Sequence, residues 1–166
     1  PLIRALKVGY AANKISSFYG ILNGTTNFIL TKIQQEGKEF NDVLKEAQDK
    51  GFAEADPTMD VSGLDSAYKL DILSAVVFKS DTQVNQLYYE GIENISLTDI
   101  NYAQELGYTI KLLAIAKQDN TNKVGLRVHP TLVASSHPLA SVHNEVNALF
   151  LVGDSVGEAM LSGKGA

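Results

Sequence analysis

Hydrophobic and polar positions in this chain change their rhythm near residue 107. KISSFYGIL (14–22) is short, apolar and rich in β-forming residues, and it reads as a first strand. Asn23-Gly24 ends it. In TTNFILTKIQQEG, Ile29 with Ile33 and Phe28 with Lys32 stand at helical spacing, so a helix is expected from about Thr26, capped by Thr25 or Thr26 and stopped at Gly37. EFNDVLKEAQDKG repeats the arrangement, with Asn41 or Asp42 as its start, Val43, Leu44 and Ala47 as its inner stripe and Gly51 as its end. A third helix is expected from about Gly63 to Phe78, capped by Asp60 or Ser62. SDTQVN reads as a loop, LYYEGIENIS as a short extended segment, and TDINYAQELG as a short helix with a Thr98 cap and a Gly107 stop.

From Tyr108 onward the pattern is that of strands. YTIKLLAIAK, VGLRVHPTLVA, EVNALFLVGD and SVGEAMLSG are separated by the polar, turn-prone joins QDNTN, SSHPLASVHN and GDS. YTIKLLAIAK is also compatible with a continuation of the preceding helix. A first strand, two helices after it and late antiparallel strands predict an α+β fold, an open mixed β-sheet with helices packed mainly on one face. No internal repeat, low-complexity segment or interdomain linker interrupts the chain, so residues 1–166 are read as one domain.

Composition narrows the function. The net charge is −5 and the pI about 5.1, which argues against a nucleic-acid or anionic-membrane surface. No apolar run approaches the ~18 residues of a membrane span. There is no cysteine, which removes disulfides, thiolate metal sites and a thiol nucleophile, and fits the cytoplasm. The chain starts at Pro1 and stops at GKGA, as expected of a piece of something longer.

Chemistry concentrates in GFAEADPTMDVSGLDSAYKL (51–70), where Glu54, Asp56, Asp60 and Asp65 precede the lone Lys69. Asp65 and Lys69 are four apart on the expected helix and meet on one face. Ile72 or Leu73 and then Val76 continue that stripe, which places the pair where the helix enters the core. The loop leads Glu54, Asp56 and Asp60 toward the same helix end, where free N–H groups favour negative charge. The bland alternative makes Asp60 or Ser62 caps, Asp65–Lys69 a surface pair worth ~0.3–0.5 kcal/mol, and Asp56-Pro57 a turn. A calcium loop fails: with Asp56 first, Val61 stands in place of the required glycine and Ala67 in place of the bidentate Glu. His129, His137 and His143 lack helical ligand spacing, two of them precede prolines, and all three read as structural. What remains is a pocket of carboxylates with one lysine. Such a pocket suits a small zwitterion, the acids holding an ammonium group and the lysine, kept cationic by its acid partner, donating to an oxygen.

The stretch from Ala47 to Lys69 resembles the signature of the homoserine dehydrogenase family, with Gly51-Phe52-Ala53, Asp56-Pro57, Asp60-Val61, Gly63, Asp65 and Lys69 in its order and spacing. GILNGTTNFIL (20–30), IKLLAIAK (110–117), LRVHPTL (126–132) and HPLASVHNEVNALF resemble its other stretches, so the likeness runs end to end. It implies NAD(P)H-dependent reduction of L-aspartate 4-semialdehyde to L-homoserine, on the route to threonine, methionine and isoleucine. It implies a dehydrogenase C-terminal substrate-domain type of fold. The chain has no GxGxxG, and its only GxG is Gly163-Lys164-Gly165. The NAD or NADP domain is therefore expected outside it, and the resemblance further implies a second catalytic lysine and a possible monovalent-cation site upstream of Pro1.

By the same resemblance, Lys69 hydrogen-bonds the carbonyl oxygen and delivers a proton as hydride arrives from the nicotinamide, and Asp65 orients it. Glu54 binds the ammonium group and Asp60 holds the substrate from the helix entrance. Gly24 and Thr25 contact it through the turn. Phe52 stands where some relatives have Tyr, and Met59 replaces an acid seen in some. Asp56 is left to its turn, and Lys14 is read as a strand-edge charge. Two other readings stand beside this one: a Schiff-base lysine lyase or aldolase, which needs a neutral Lys69, and a non-catalytic dimerisation module. A phosphorylating semialdehyde dehydrogenase is excluded for this chain, since it works through a cysteine. Alone, residues 1–166 are expected to be inactive, and LFLV and VGLRVHPTLV to pair across a two-fold axis into a homodimer.

Overall fold

The computed structural model describes residues 2–81 and 83–165; Pro1, Ala166 and Thr82, the last within the expected SDTQVN loop, lie outside it. Its core is a six-stranded mixed sheet. In chain order the elements are α1 (Leu2–Arg4), which widens into a π-turn over Ala5–Gly9, β1 (Ile15–Ile21), α2 (Gly24–Glu36), α3 (Phe40–Asp49), α4 (Thr58–Val61) and α5 (Leu64–Phe78). They are followed by β2 (Tyr88–Tyr89), α6 (Leu97–Glu105), β3 (Tyr108–Gln118), β4 (Val124–Ala134), β5 (Val146–Gly153) and β6 (Gly157–Lys164). The strand order is β2-β4-β3-β1-β5-β6, and every pairing is antiparallel except β2 with β4. This is the expected α+β architecture.

The helices gather on one face. Phe18, Leu112, Ala114, Ala116, Val128, Leu149 and Leu151 of the sheet pack with Phe28, Ile29, Leu30 and Ile33 of α2, Val43 and Ala47 of α3, and Ala67, Leu70 and Leu73 of α5. The other face carries Ile21, Leu113, Ile115, Val133, Ala148 and Phe150, covered by Leu139, Ala140 and Val142 of the β4–β5 connection. Thr109–Ala116 is consequently buried on both faces, which is why β3 is a continuous apolar run rather than an alternating one. Strand geometry wins there because two neighbours, β1 and β4, bond to it.

Several expectations need correction. The cap of α2 is Asn23, whose Oδ1 accepts the Thr26 N–H at 2.8 Å, so the helix starts at Gly24 and neither Thr25 nor Thr26 caps it. Neither Asp60 nor Ser62 caps α5; Asp60 lies in the extra turn α4, and Gly63 at φ 83 forms the corner between the two helices. Helix α6 begins at Leu97 under a Ser96–Asp99 capping box, in which Ser96 rather than Thr98 is the cap. Helix α3 starts at Phe40, one residue before Asn41. The LYYEGIENIS segment pairs with β4 at Tyr88 and Tyr89 and through the Glu90 N–H to the Val128 carbonyl, after which Ile92 turns back to donate to the Val61 carbonyl. The SSHPLASVHN join contains a 3-10 turn, Pro138–Ser141, capped by His137. Strand β5, with its LFLV run, is an interior strand between β1 and β6, so it offers no free edge.

Candidate active site

The carboxyl end of the central strand β1 meets the amino ends of α2 and α5, and of the sequence-predicted residues Asp60, Asp65 and Lys69 converge at that junction, beside Gly24 and Thr25 at the start of α2. Gly63 makes it possible: a Cβ there would stand 3.0 Å from the Glu90 carbonyl, and its positive φ reverses the chain between α4 and α5. Asp60 and Asp65, on either side of this corner, therefore face the same neighbour.

That neighbour is Asn23. Its Nδ2 donates to Asp60 Oδ1 at 2.7 Å and to Asp65 Oδ2 at 2.9 Å. Asp65 Oδ2 also accepts from Lys69 Nζ at 2.6 Å, one helical turn along α5. Lys69 Nζ donates a second bond, 3.0 Å long, to the Leu22 carbonyl at the end of β1. An ammonium has three donors, so among the described residues one N–H of Lys69 is left without a partner. Its side chain is 47% exposed and that of Asp65 26%. Asp60 Oδ2 and Asp65 Oδ1 have no hydrogen-bond partner among the described residues. The result is a partly open surface with one directed cationic N–H and two acceptor oxygens, fixed by an amide that is itself buried.

Gly24 and Thr25 support this centre. A Cβ on Gly24 would stand 2.9 Å from the Glu145 carbonyl, so only glycine lets the 143–147 segment close on the start of α2. Thr25 Oγ1 donates to the Phe52 carbonyl at 2.6 Å, and the Phe52 ring tilts against Phe28 at 4.9 Å, fastening the acidic loop to α2. Glu54 is exposed on that loop, and its backbone carbonyl, not its carboxylate, is bonded, to Gln48 Nε2 at 3.1 Å. Asp56 turns back on Thr58, accepting its N–H at 3.1 Å and its Oγ1 at 2.6 Å. The Thr58 hydroxyl and then the Thr58 amide hold the Asp56 carboxyl below its ordinary value. It makes a turn and does not join Asp60 and Asp65.

Asn23 is the residue that sequence reasoning missed. Its signal was present: an N-cap type of residue directly ahead of Gly-Thr-Thr and a helical pattern. What no local pattern contains is the reach from Asn23 to Asp60 and Asp65, 37 and 42 residues on. Lys14 stands apart from this centre, its N–H bonded to Asp154 at the start of the sheet.

An open mixed sheet with helices on one face, carrying an acid–lysine centre at the end of its central strand, is the class this structure defines. A profile of the homoserine dehydrogenase family matches residues 1–166. A homoserine dehydrogenase of Bacillus subtilis is 48% identical over the whole chain, which covers 38% of that protein. The crystal structure of a homoserine dehydrogenase from Thiobacillus denitrificans superposes with a TM-score of 0.96 at 49% identity, covering all of this chain and 38% of that one. A hyperthermophilic archaeal homoserine dehydrogenase in complex with NADPH gives a TM-score of 0.80 at 28% identity, covering all of this chain and 46% of that one. The chain belongs to the homoserine dehydrogenase family, an oxidoreductase family that is NAD(P)-dependent. It spans about 38% of the length of the curated relatives it matches.

Proposed function

We propose that this chain is the substrate-binding and catalytic domain of an NAD(P)-dependent homoserine dehydrogenase, which interconverts L-aspartate 4-semialdehyde and L-homoserine in the biosynthesis of threonine, methionine and isoleucine. The observation that carries this reading is Asp65 Oδ2 held jointly by Lys69 and Asn23. A carboxylate fixed from two sides can aim an ammonium, and the aimed ammonium has one N–H left for a substrate oxygen. In this role Lys69 donates to the carbonyl oxygen of the semialdehyde and gives it a proton; in the reverse direction it takes the proton back from the hydroxyl. Asp60 and Glu54 hold the substrate's ammonium group, and Gly24 and Thr25 form the wall beside it.

The nicotinamide supplies the hydride. This chain's residues do not make a dinucleotide cradle: there is no GxGxxG. The start of α2 is taken by its own Asn23 cap, and the start of α5 faces carboxylates that would repel a pyrophosphate. Binding of NAD or NADP, and of any monovalent cation, falls to residues outside this chain. The 2.6 Å Asp65–Lys69 contact weighs against the Schiff-base alternative, which needs the neutral amine.

The protein is proposed to work in the cytoplasm; among the described residues no helix is long and apolar enough to cross a membrane. It is also proposed to form a homodimer. With β5 interior, the surface for it is β4, whose outer edge is paired, among the described residues, only at Arg127 and Val128 and which leaves Leu132 exposed. Titration of residues 1–166 with L-homoserine, followed by amide shifts, tests the substrate reading. Shifts confined to Gly24, Glu54, Asp60 and Lys69 are expected. Shifts scattered over the surface, or none at millimolar ligand, would remove it.

A further inference from the structure

One turn into α2, Asn27 meets a lysine to which the proposed reaction gives no role. Lys111 of β3 is fully buried. Its Nζ donates to Asn27 Oδ1 at 3.1 Å and to the Val142 carbonyl. The two N–H donors of Asn27 Nδ2 are shared in turn among three carbonyls of one strap: Asn144 at 2.8 Å, and Val142 and Val146 each at 3.2 Å. Thr31 Oγ1 accepts the Asn144 N–H at 3.1 Å, and Asn144 itself sits at φ 57. The cation decides which way the amide points. With Oδ1 turned to the ammonium, Nδ2 must face the strap, since an ammonium can only donate and a carbonyl can only accept.

The strap then presses on the site. Its Glu145 carbonyl lies against Gly24, closer than any Cβ could allow, and Gly24 follows directly on Asn23, the amide that spans Asp60 and Asp65. A lysine is a costly choice for the middle of a strand flanked by Ile110 and Leu112, where an apolar side chain would pack without penalty. Burial draws its ammonium down to about 8, and no carboxylate of the described residues acts on it. The titratable neighbour is His143 at the strap's start, lowered first by its own burial and then by Lys111.

We propose that Lys111 is a positioning residue of this active site: through Asn27 and the 142–146 strap it fixes the start of α2, and with it Asn23, against Asp60 and Asp65. The inference deepens the proposed function and, for its kinetic readout, rests on it. The test uses the complete enzyme with Lys111→Met and, should that variant not fold, the isosteric Thr31→Val, which removes the strap's other anchor. Both are assayed well below their unfolding temperatures, with the folded fraction measured by circular dichroism. A misplaced site predicts that kcat/KM for L-homoserine falls about 10- to 100-fold per folded molecule in Lys111→Met, in line with an ångström-scale displacement. Amide exchange at Gly24–Asn27 and 142–146 should quicken in the unliganded variants. Variants that melt earlier yet keep wild-type kcat/KM and wild-type exchange at Gly24–Asn27 would overturn the proposal and leave Lys111 a packing residue. If the wild-type enzyme does not act on homoserine, the substrate reading fails on its own. Amide exchange, which needs no substrate, then decides the positioning role, faster exchange supporting it and unchanged exchange overturning it.

Discussion

Asn23 satisfies three demands with one side chain. Its oxygen caps α2, and its nitrogen spans two carboxylates that would otherwise face each other across the α4–α5 corner. Replacing it separates the structural role from the functional one. Asn23→Ala should cost about 1–2 kcal/mol through the lost cap and should raise KM for L-homoserine as Asp60 and Asp65 move apart. Asn23→Ser keeps a cap and loses the bridge, so it should melt close to wild type and still show the raised KM. Thermal unfolding and steady-state kinetics of the two variants check this; a normal KM in Asn23→Ser would mean that the bridge is incidental. At this scale the sequence was readable wherever partners are close along the chain. Asp65 and Lys69 meet because a helix puts residues four apart on one face, and Asp56 makes its turn with Thr58. Local spacing offers Asp60 or Ser62 as the cap of α5, whereas Asp60 finds its partner in Asn23 across the fold, where no spacing rule reaches.

At the level of elements, helix ends were harder to place than helices. The apolar spacing announces α5 from about Gly63, one residue ahead of its start at Leu64, but gives no sign of the short turn Thr58–Val61 before it, which the reversed backbone at Gly63 sets apart. Strand β4 was read at its true limits because turn residues bound it on both sides, whereas β3 was compatible with a helix because burial on both faces erases alternation. Gly63 is therefore the residue on which the mutual placement of α4 and α5 turns. Gly63→Ala puts a Cβ 3.0 Å from the Glu90 carbonyl in a left-handed conformation. It should destabilise the fold by roughly 1–3 kcal/mol. The shift of the urea midpoint measures it, and an unshifted midpoint would show that the corner can relax.

Taken whole, the molecule is a sheet whose helices cover one face and whose central strand delivers Leu22 and Asn23 to the junction of two helices. That layout places Lys69 at an opening rather than in a closed pocket, which fits the proposal that a dinucleotide-binding unit outside this chain works against it. The same layout bears on assembly. The long, sparsely covered β4 edge predicts a dimer through this part of the molecule, and sedimentation at micromolar concentration checks it; a strictly monomeric species would set that aside. The most direct test of the account as a whole is the turnover of L-homoserine by the complete enzyme carrying Lys69→Ala. Lys69 is half exposed and its contacts lie at the site, so the variant should unfold within a few degrees of wild type. Its kcat should fall by about 10²–10⁴, the usual contribution of a positioned proton donor. An unchanged kcat would contradict the role given to Lys69, and with it the reading of this centre as the place where the chemistry occurs.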